Sequence, residues 1–126
     1  MSEITHPYAD DSAASIYDEE KVMEKRVIEA ADDCRRAGRD AIQKKAFYYQ
    51  LKHTYLVRLF AEEATTAGLK RTEVQRSAMY REVYATERMA WILAEREYEV
   101  SKDYLRSLMA VLNSLQTRAK LIQFSP

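Results

Sequence analysis

Apolar residues recur at spacings of three, four and seven over the stretch from Tyr80 to Ala119. Tyr80, Val83, Tyr84, Ala90, Trp91, Ala94, Tyr98, Leu105, Leu108, Met109, Leu112, Leu115 and Ala119 share one stripe when each residue turns the chain by about 100°. Glu87 and Ser101 interrupt that face. The pattern predicts one long helix from Thr72 to near Gln123, about 75 Å in length at 1.5 Å per residue. A second line on the same stretch, Met89, Leu93, Val100, Tyr104 and Val111, predicts a further contact face.

The first half reads less cleanly. Ile16, Met23, Val27, Ala30, Cys34, Ala37 and Ala41 step at roughly heptad spacing, a thin and mostly small-residue seam. Ser12 or Ser15 is placed to start it, with Asp18 three residues beyond Ser15. Gly38 lies inside the seam, where glycine costs about 1 kcal/mol relative to alanine. The helix there continues, kinks or breaks near residues 37–40, and the domain layout adopts a division: helices over about 12–37, 40–66 and 72–123. Residues 1–11, with Pro7 and the Asp10-Asp11 pair, read as a flexible acidic lead to the helical domain of 12–126.

Lys44 to Phe60 reads KKAFYYQLKHTYLVRLF. Phe47, Tyr48, Leu51, Tyr55 and Leu59 make one face, while Ile42, Tyr49, Leu56 and Phe60 make another about 100° away. A helix apolar on two sides needs two neighbours. The Thr65-Thr66 pair weakens the helix end, and Gly68 suits a left-handed cap. Thr72 and Gln75 form a capping-box pair that starts the next helix. So short a connection makes the two helices antiparallel neighbours. The expected fold is therefore all-α: a long antiparallel helical hairpin with an N-terminal helical segment. The uncovered secondary faces predict an oligomeric helical bundle, with Phe60, Met89, Leu93, Val100, Tyr104 and Val111 at the interface.

Composition supports a helical reading: of 126 residues, two are glycine and two are proline, Pro7 and Pro126. The lone cysteine, Cys34, has no internal disulfide partner, which fits a reducing, cytoplasmic location. The chain's start lacks an apolar run, predicting no secretory signal, and no apolar run reaches the ~20 residues needed to span a membrane. Net charge is zero but unevenly spread. Residues 1–33 hold ten acids against three bases, a net −7, and residues 34–76 hold ten bases against four acids, a net +6.

Catalytic chemistry is not signalled. His6 and His53 are the two histidines, without the Glu-x-x-His pairs or Cys/His sets that hold metals. Phosphate-binding glycine loops and nucleophile elbows are absent from the sequence. Cys34 reads as a small buried thiol, His53 as a helix residue, and Glu62, Glu63, Glu95 and Glu99 as solvated helix-face acids. The expectation is a non-enzyme with no cofactor and no metal. Nucleic-acid contact is the sharper idea. Lys44, Lys45, Lys52 and Arg58 are interleaved with Tyr48, Tyr49, Tyr55 and Phe60, and the turn adds Lys70, Arg71 and Arg76. Cations neutralise phosphates, and aromatic faces stack single-strand bases. The DNA-binding set is thus Lys44, Lys45, Lys52, Arg58, Lys70, Arg71 and Arg76, with Tyr48 and Tyr49 as stacking faces.

The middle and end of the chain carry a resemblance. A Lys/Tyr-rich helix ends in a Gly-containing turn, followed by KRTEVQRSAMYREVYATERMAWILAE and then REYEVSKDYLRSLMAVLNSLQTRAK. Over residues 44–122 this resembles small helical proteins of tailed phages, similar to the phage recombination mediator family. That resemblance implies a non-enzymatic oligomer on single-stranded DNA that helps a recombinase displace a single-strand-binding protein, in the cytoplasm of the host cell. The family places basic residues late in the helix before its glycine turn, which here corresponds to Lys52 and Arg58. The chain departs from that pattern at Glu62 and Glu63, which separate those residues from the turn. The alternative is a helical protein–protein interaction module, such as a phage structural or adaptor protein or an inhibitor of a host protein.

Overall fold

The computed structural model describes residues 13–123. Among them there is no strand, and three helices follow one another: α1 (Ala13–Thr65), α2 (Glu73–Val83) and α3 (Ala85–Gln123). The all-α class is as expected. The acidic lead expected at 1–11 falls outside the described residues. Ser15 is not the cap that its spacing to Asp18 suggests, because α1 already includes Ala13.

α1 runs through Gly38 without interruption, so the division expected near 37–40 is absent. A Cβ at Gly38 would lie 3.0 Å from Cε1 of Tyr98, 3.3 Å from Cζ and 3.4 Å from Cδ1. Carbon atoms pack comfortably at about 3.5–4.0 Å. The glycine thus admits an aromatic ring from α3 against the α1 backbone. Burial of the small seam residues around it, Cys34 and Ala41, offsets its poor helix propensity.

The connection at 66–72 matches its sequence cues. Thr66 N–H donates to the Glu62 carbonyl at 3.0 Å, and Leu69 N–H donates to the Thr66 carbonyl at 3.2 Å. Gly68 then turns the chain with φ 81°, a conformation that costs residues with a Cβ. Thr72 caps α2: its hydroxyl accepts from Gln75 N–H, and the Gln75 side chain accepts from Thr72 N–H. Together these satisfy two donors that a helix start leaves open.

The long helix expected after Thr72 is divided once, at Tyr84, with φ −109° and ψ 31°. Tyr84 N–H still reaches the Tyr80 carbonyl at 2.9 Å, and Arg88 N–H reaches the Tyr84 carbonyl at 3.0 Å. The i→i−4 hydrogen bonds thus run through the division. The division accompanies the packing of two tyrosines on one region of α1. Tyr80 is buried with Tyr55 and Leu59, and the Tyr84 ring stands edge-on to Tyr55 at 5.7 Å and 85°.

Two compact units result. One comprises the described residues up to Arg35 together with those from Val100 onward; the other is Arg36–Glu99. The first buries Ile16, Ala30 and Cys34 of α1, and Leu108 and Leu115 of α3. The second buries Ala41, Tyr48, Tyr55 and Leu59 of α1, Tyr80 of α2 and Ala94 of α3. Within the second unit, Gly38 meets Tyr98, Tyr48 meets Trp91 and Tyr55 meets Tyr84. Val83 and Met109, read from sequence as part of the main stripe, are about half exposed.

Candidate interaction surface

The α1 sequence around Lys44–Phe60 places an aromatic ring on successive inward turns, and its cations sit beside those rings. Tyr48 is 4% exposed, its ring stacked on Trp91 at 5.6 Å and 27°. Tyr49 stands edge-on to Tyr48 at 5.7 Å and tilted to Trp91 at 5.7 Å. Such pairs contribute about 0.5–1.5 kcal/mol each beyond their burial. The stacking role expected of Tyr48 is therefore corrected: its face is taken by Trp91. Tyr49 keeps 46% of its surface exposed.

The expected phosphate-binding cations are largely engaged inside the molecule. Lys44 Nζ is 3.0 Å from Asp40 Oδ2, an i,i+4 pair. Lys45 Nζ lies 5.5 Å from the Trp91 ring centroid. Lys52 Nζ lies between Tyr49 at 5.3 Å and Tyr80 at 4.9 Å. The Arg58 guanidinium lies 4.8 Å from Tyr55. Lys45, Lys52 and Arg58 each face a negative ring surface, an attraction that grows as water is excluded. Lys52 and Ser77 also hold the Tyr80 hydroxyl below its ordinary pKa, with the Ser77 hydrogen bond the larger cause.

At the turn, the basic residues form a clasp instead of a free cationic patch. Arg76 Nη1 lies 3.0 Å from Glu63 Oε1, and its guanidinium lies 4.5 Å from the Phe60 ring. Arg71 Nη2 lies 3.0 Å from Glu62 Oε1, and its backbone N–H donates to Glu63 Oε1 at 2.9 Å. Arg76 Nη1 also donates to the Arg71 carbonyl at 2.6 Å. The Arg71 N–H, then the Arg76 and Arg71 charges, hold the Glu63 carboxyl below its ordinary pKa. Glu63 is thus not the solvated acid read from sequence, and Arg71 and Arg76 are not free for phosphate. The missed signal was the opposition of Glu62-Glu63 before the glycine turn to Arg71 and Arg76 after it. Lys70 is exposed.

Among the described residues, four buried side-chain atoms lack a hydrogen-bond partner. Glu63 Oε2 and Arg71 Nη1 face each other at 3.7 Å within the clasp. Glu87 Oε2 and Trp91 Nε1 belong to i and i+4 neighbours on α3's inward face, where an unpaired polar atom costs stability. Among the described residues, no group of three or more His, Cys, Asp or Glu side chains is placed to hold a metal ion. No helix among them is long and apolar enough to cross a membrane.

The residues nominated for assembly lie at the surface. Phe60, Met89, Leu93, Val100, Tyr104 and Val111 all remain about half exposed. No protein-family model, curated protein or solved structure matches the chain.

Proposed function

We propose that this protein is a non-enzymatic helical protein–protein interaction module. It is built on an antiparallel helical hairpin and works as an assembly of several copies in the cytoplasm. The hairpin is supported by the partner positions along α1: Gly38 with Tyr98, Tyr48 with Trp91, and Tyr55 with Tyr84. Partner numbers fall as α1 numbers rise, the order of antiparallel packing. The carrying observation is the apolar line along α3, Met89, Leu93, Val100, Tyr104 and Val111, which the fold leaves exposed. Isolated exposed leucines or valines are ordinary, but a line of them along one helix marks a contact surface. Light scattering on the purified, folded chain tests the proposal: a mass of at least two chains is expected, and a single-chain mass at all concentrations overturns it.

A second reading is favoured by the exposed part of Tyr49 beside Lys52. It makes the chain a DNA-binding accessory protein of phage recombination or replication, on single-stranded DNA with a recombinase or a single-strand-binding protein as partner. A labelled oligo-dT would then shift at about 50 mM salt, with affinity falling steeply as salt rises. An unshifted oligonucleotide with folded protein removes this reading and leaves the first intact.

A further inference from the structure

A separate apolar line lies on α1, inside one unit of the fold. Ile42, Ala46, Tyr49, His53, Leu56 and Phe60 follow one another at alternating gaps of four and three, the a/d spacing of a heptad seam. At 100° per residue they fall within an arc of roughly 80°. All six belong to the uninterrupted α1 helix and to the Arg36–Glu99 unit. Ile42 is 70% exposed, Phe60 51% and Tyr49 46%. Ala46 and His53 are exposed, and Leu56 is half-buried. The larger side chains are held from behind. The Tyr49 ring is tilted against Trp91, Phe60 faces the Arg76 guanidinium, and Leu56 packs on the Tyr55, Leu59 and Tyr80 cluster. Side chains held in this way lose little further freedom when a partner covers them. The seam is about 27 Å long at 1.5 Å per residue.

We infer that this seam receives an amphipathic helix of a partner protein, one with apolar residues at its own a and d positions and acids beside them. The inference deepens the interaction-module reading above by naming the kind of partner, and it stands on α1 and not on the α3 line.

Charge selects the occupant. No Asp or Glu lies between Ala41 and Ala61. One border of the seam carries Lys45 and Lys52 at heptad position g. Their neighbours from α2 and α3 are rings, Trp91 for Lys45 and Tyr80 for Lys52. The other border carries Gln43, Gln50 and Val57 at position e. Residues at e and g flank the seam of two packed helices and set partner choice. Glutamates at e and g of an incoming helix fall beside Lys45 and Lys52 in either direction, and neither border opposes them with an acid. A second copy of the seam fits less well. Antiparallel, the lysine border meets a lysine border. Parallel, Lys45 meets Gln50 and Lys52 meets Val57, with no attraction, and His53 meets His53. A nucleic-acid strand matches the lysines but leaves the heptad line of apolar residues without a counterpart.

The test is fluorescence anisotropy on the full chain with a labelled synthetic peptide of three heptads, leucine at a and d and glutamate at e and g. Native protein is expected to bind it, with affinity that falls as salt rises. Ala46→Asp places a charge in the middle of the seam, and Gln43→Glu with Gln50→Glu lines its outer border with acids. Each is expected to weaken binding about tenfold, roughly 1.4 kcal/mol. The three positions are exposed, and circular dichroism checks that each variant is folded. Phe47→Asp makes the same charge change roughly 140° around α1 from the seam's centre and should leave binding unchanged. No binding of the peptide to native protein overturns the inference, as does equal weakening by Ala46→Asp and Phe47→Asp. Two further results assign the seam elsewhere and overturn it too: an oligo-dT that binds in place of the peptide, or an oligomer that Ala46→Asp converts to single chains. A single-chain mass with intact peptide binding removes self-assembly and leaves the seam; an oligomer indifferent to the peptide does the reverse.

Discussion

Replacing Gly38 by alanine tests whether the glycine serves the Tyr98 ring. In an ordinary helix interior the change is stabilising by about 1 kcal/mol, because alanine loses less backbone entropy. Here the new methyl would meet Tyr98 Cε1 at 3.0 Å, roughly half an ångström inside comfortable carbon contact. Overpacking of this size costs about 1–3 kcal/mol. With the propensity gain set against it, the net effect of Gly38→Ala is destabilisation by about 1 kcal/mol. In a Tyr98→Ala background the ring is gone, and the same change should stabilise by about 1 kcal/mol. The sign inversion corresponds to a coupling of about 2 kcal/mol in a double-mutant cycle. Urea unfolding followed by circular dichroism measures it, at one fixed protein concentration so that all variants are compared under the same mass-action conditions. Equal stabilisation in both backgrounds, with coupling below about 0.5 kcal/mol, would refute the close-approach account of Gly38.

Three further outcomes follow from the turn and the inward face of α3. Glu63→Gln removes a carboxylate whose folded pKa is depressed by Arg71 and Arg76. Its contribution is present above the unfolded pKa of about 4.3 and is lost as pH falls through the lower folded value. The stability gap between native and Glu63→Gln protein should therefore close on acidification, and a gap unchanged by pH would contradict the clasp. Gly68→Ala meets no atom within 4 Å, yet φ is +81°; a backbone cost of about 1 kcal/mol is expected in chemical unfolding, and a neutral result would contradict it. Glu87→Leu removes a buried carboxylate oxygen without a protein partner. Stabilisation by about 1 kcal/mol is expected, and a loss of stability would mean that the carboxylate is engaged.

Periodicity made the helices legible because burial of a stripe leaves a mark at every third or fourth residue. The turn was legible because Gly68, Thr72 and Gln75 act locally, each through its own backbone or its neighbour's. Gly38 was misread because propensity judges a glycine by its own helix, whereas the Tyr98 ring that needs the space lies sixty residues away in sequence. The division at Tyr84 left no proline or glycine to announce it. The cations misled for a similar reason. A lysine beside tyrosines has one sequence signature whether it faces phosphate or, like Lys52, lies between two rings of its own chain. Arg71 and Arg76 reach Glu62 and Glu63 only after the chain has turned, so the charge runs suggested a basic patch where the fold builds a clasp.

Hydroxyl-radical labelling of Val100, Tyr104 and Val111 over a dilution series tests most directly whether α3's apolar line is covered by another copy. Labelling of these residues is expected to be low in concentrated protein and to rise on dilution, while exposed Val74 on α2 stays constant. Labelling of the α3 residues that is high and indifferent to concentration would contradict the account.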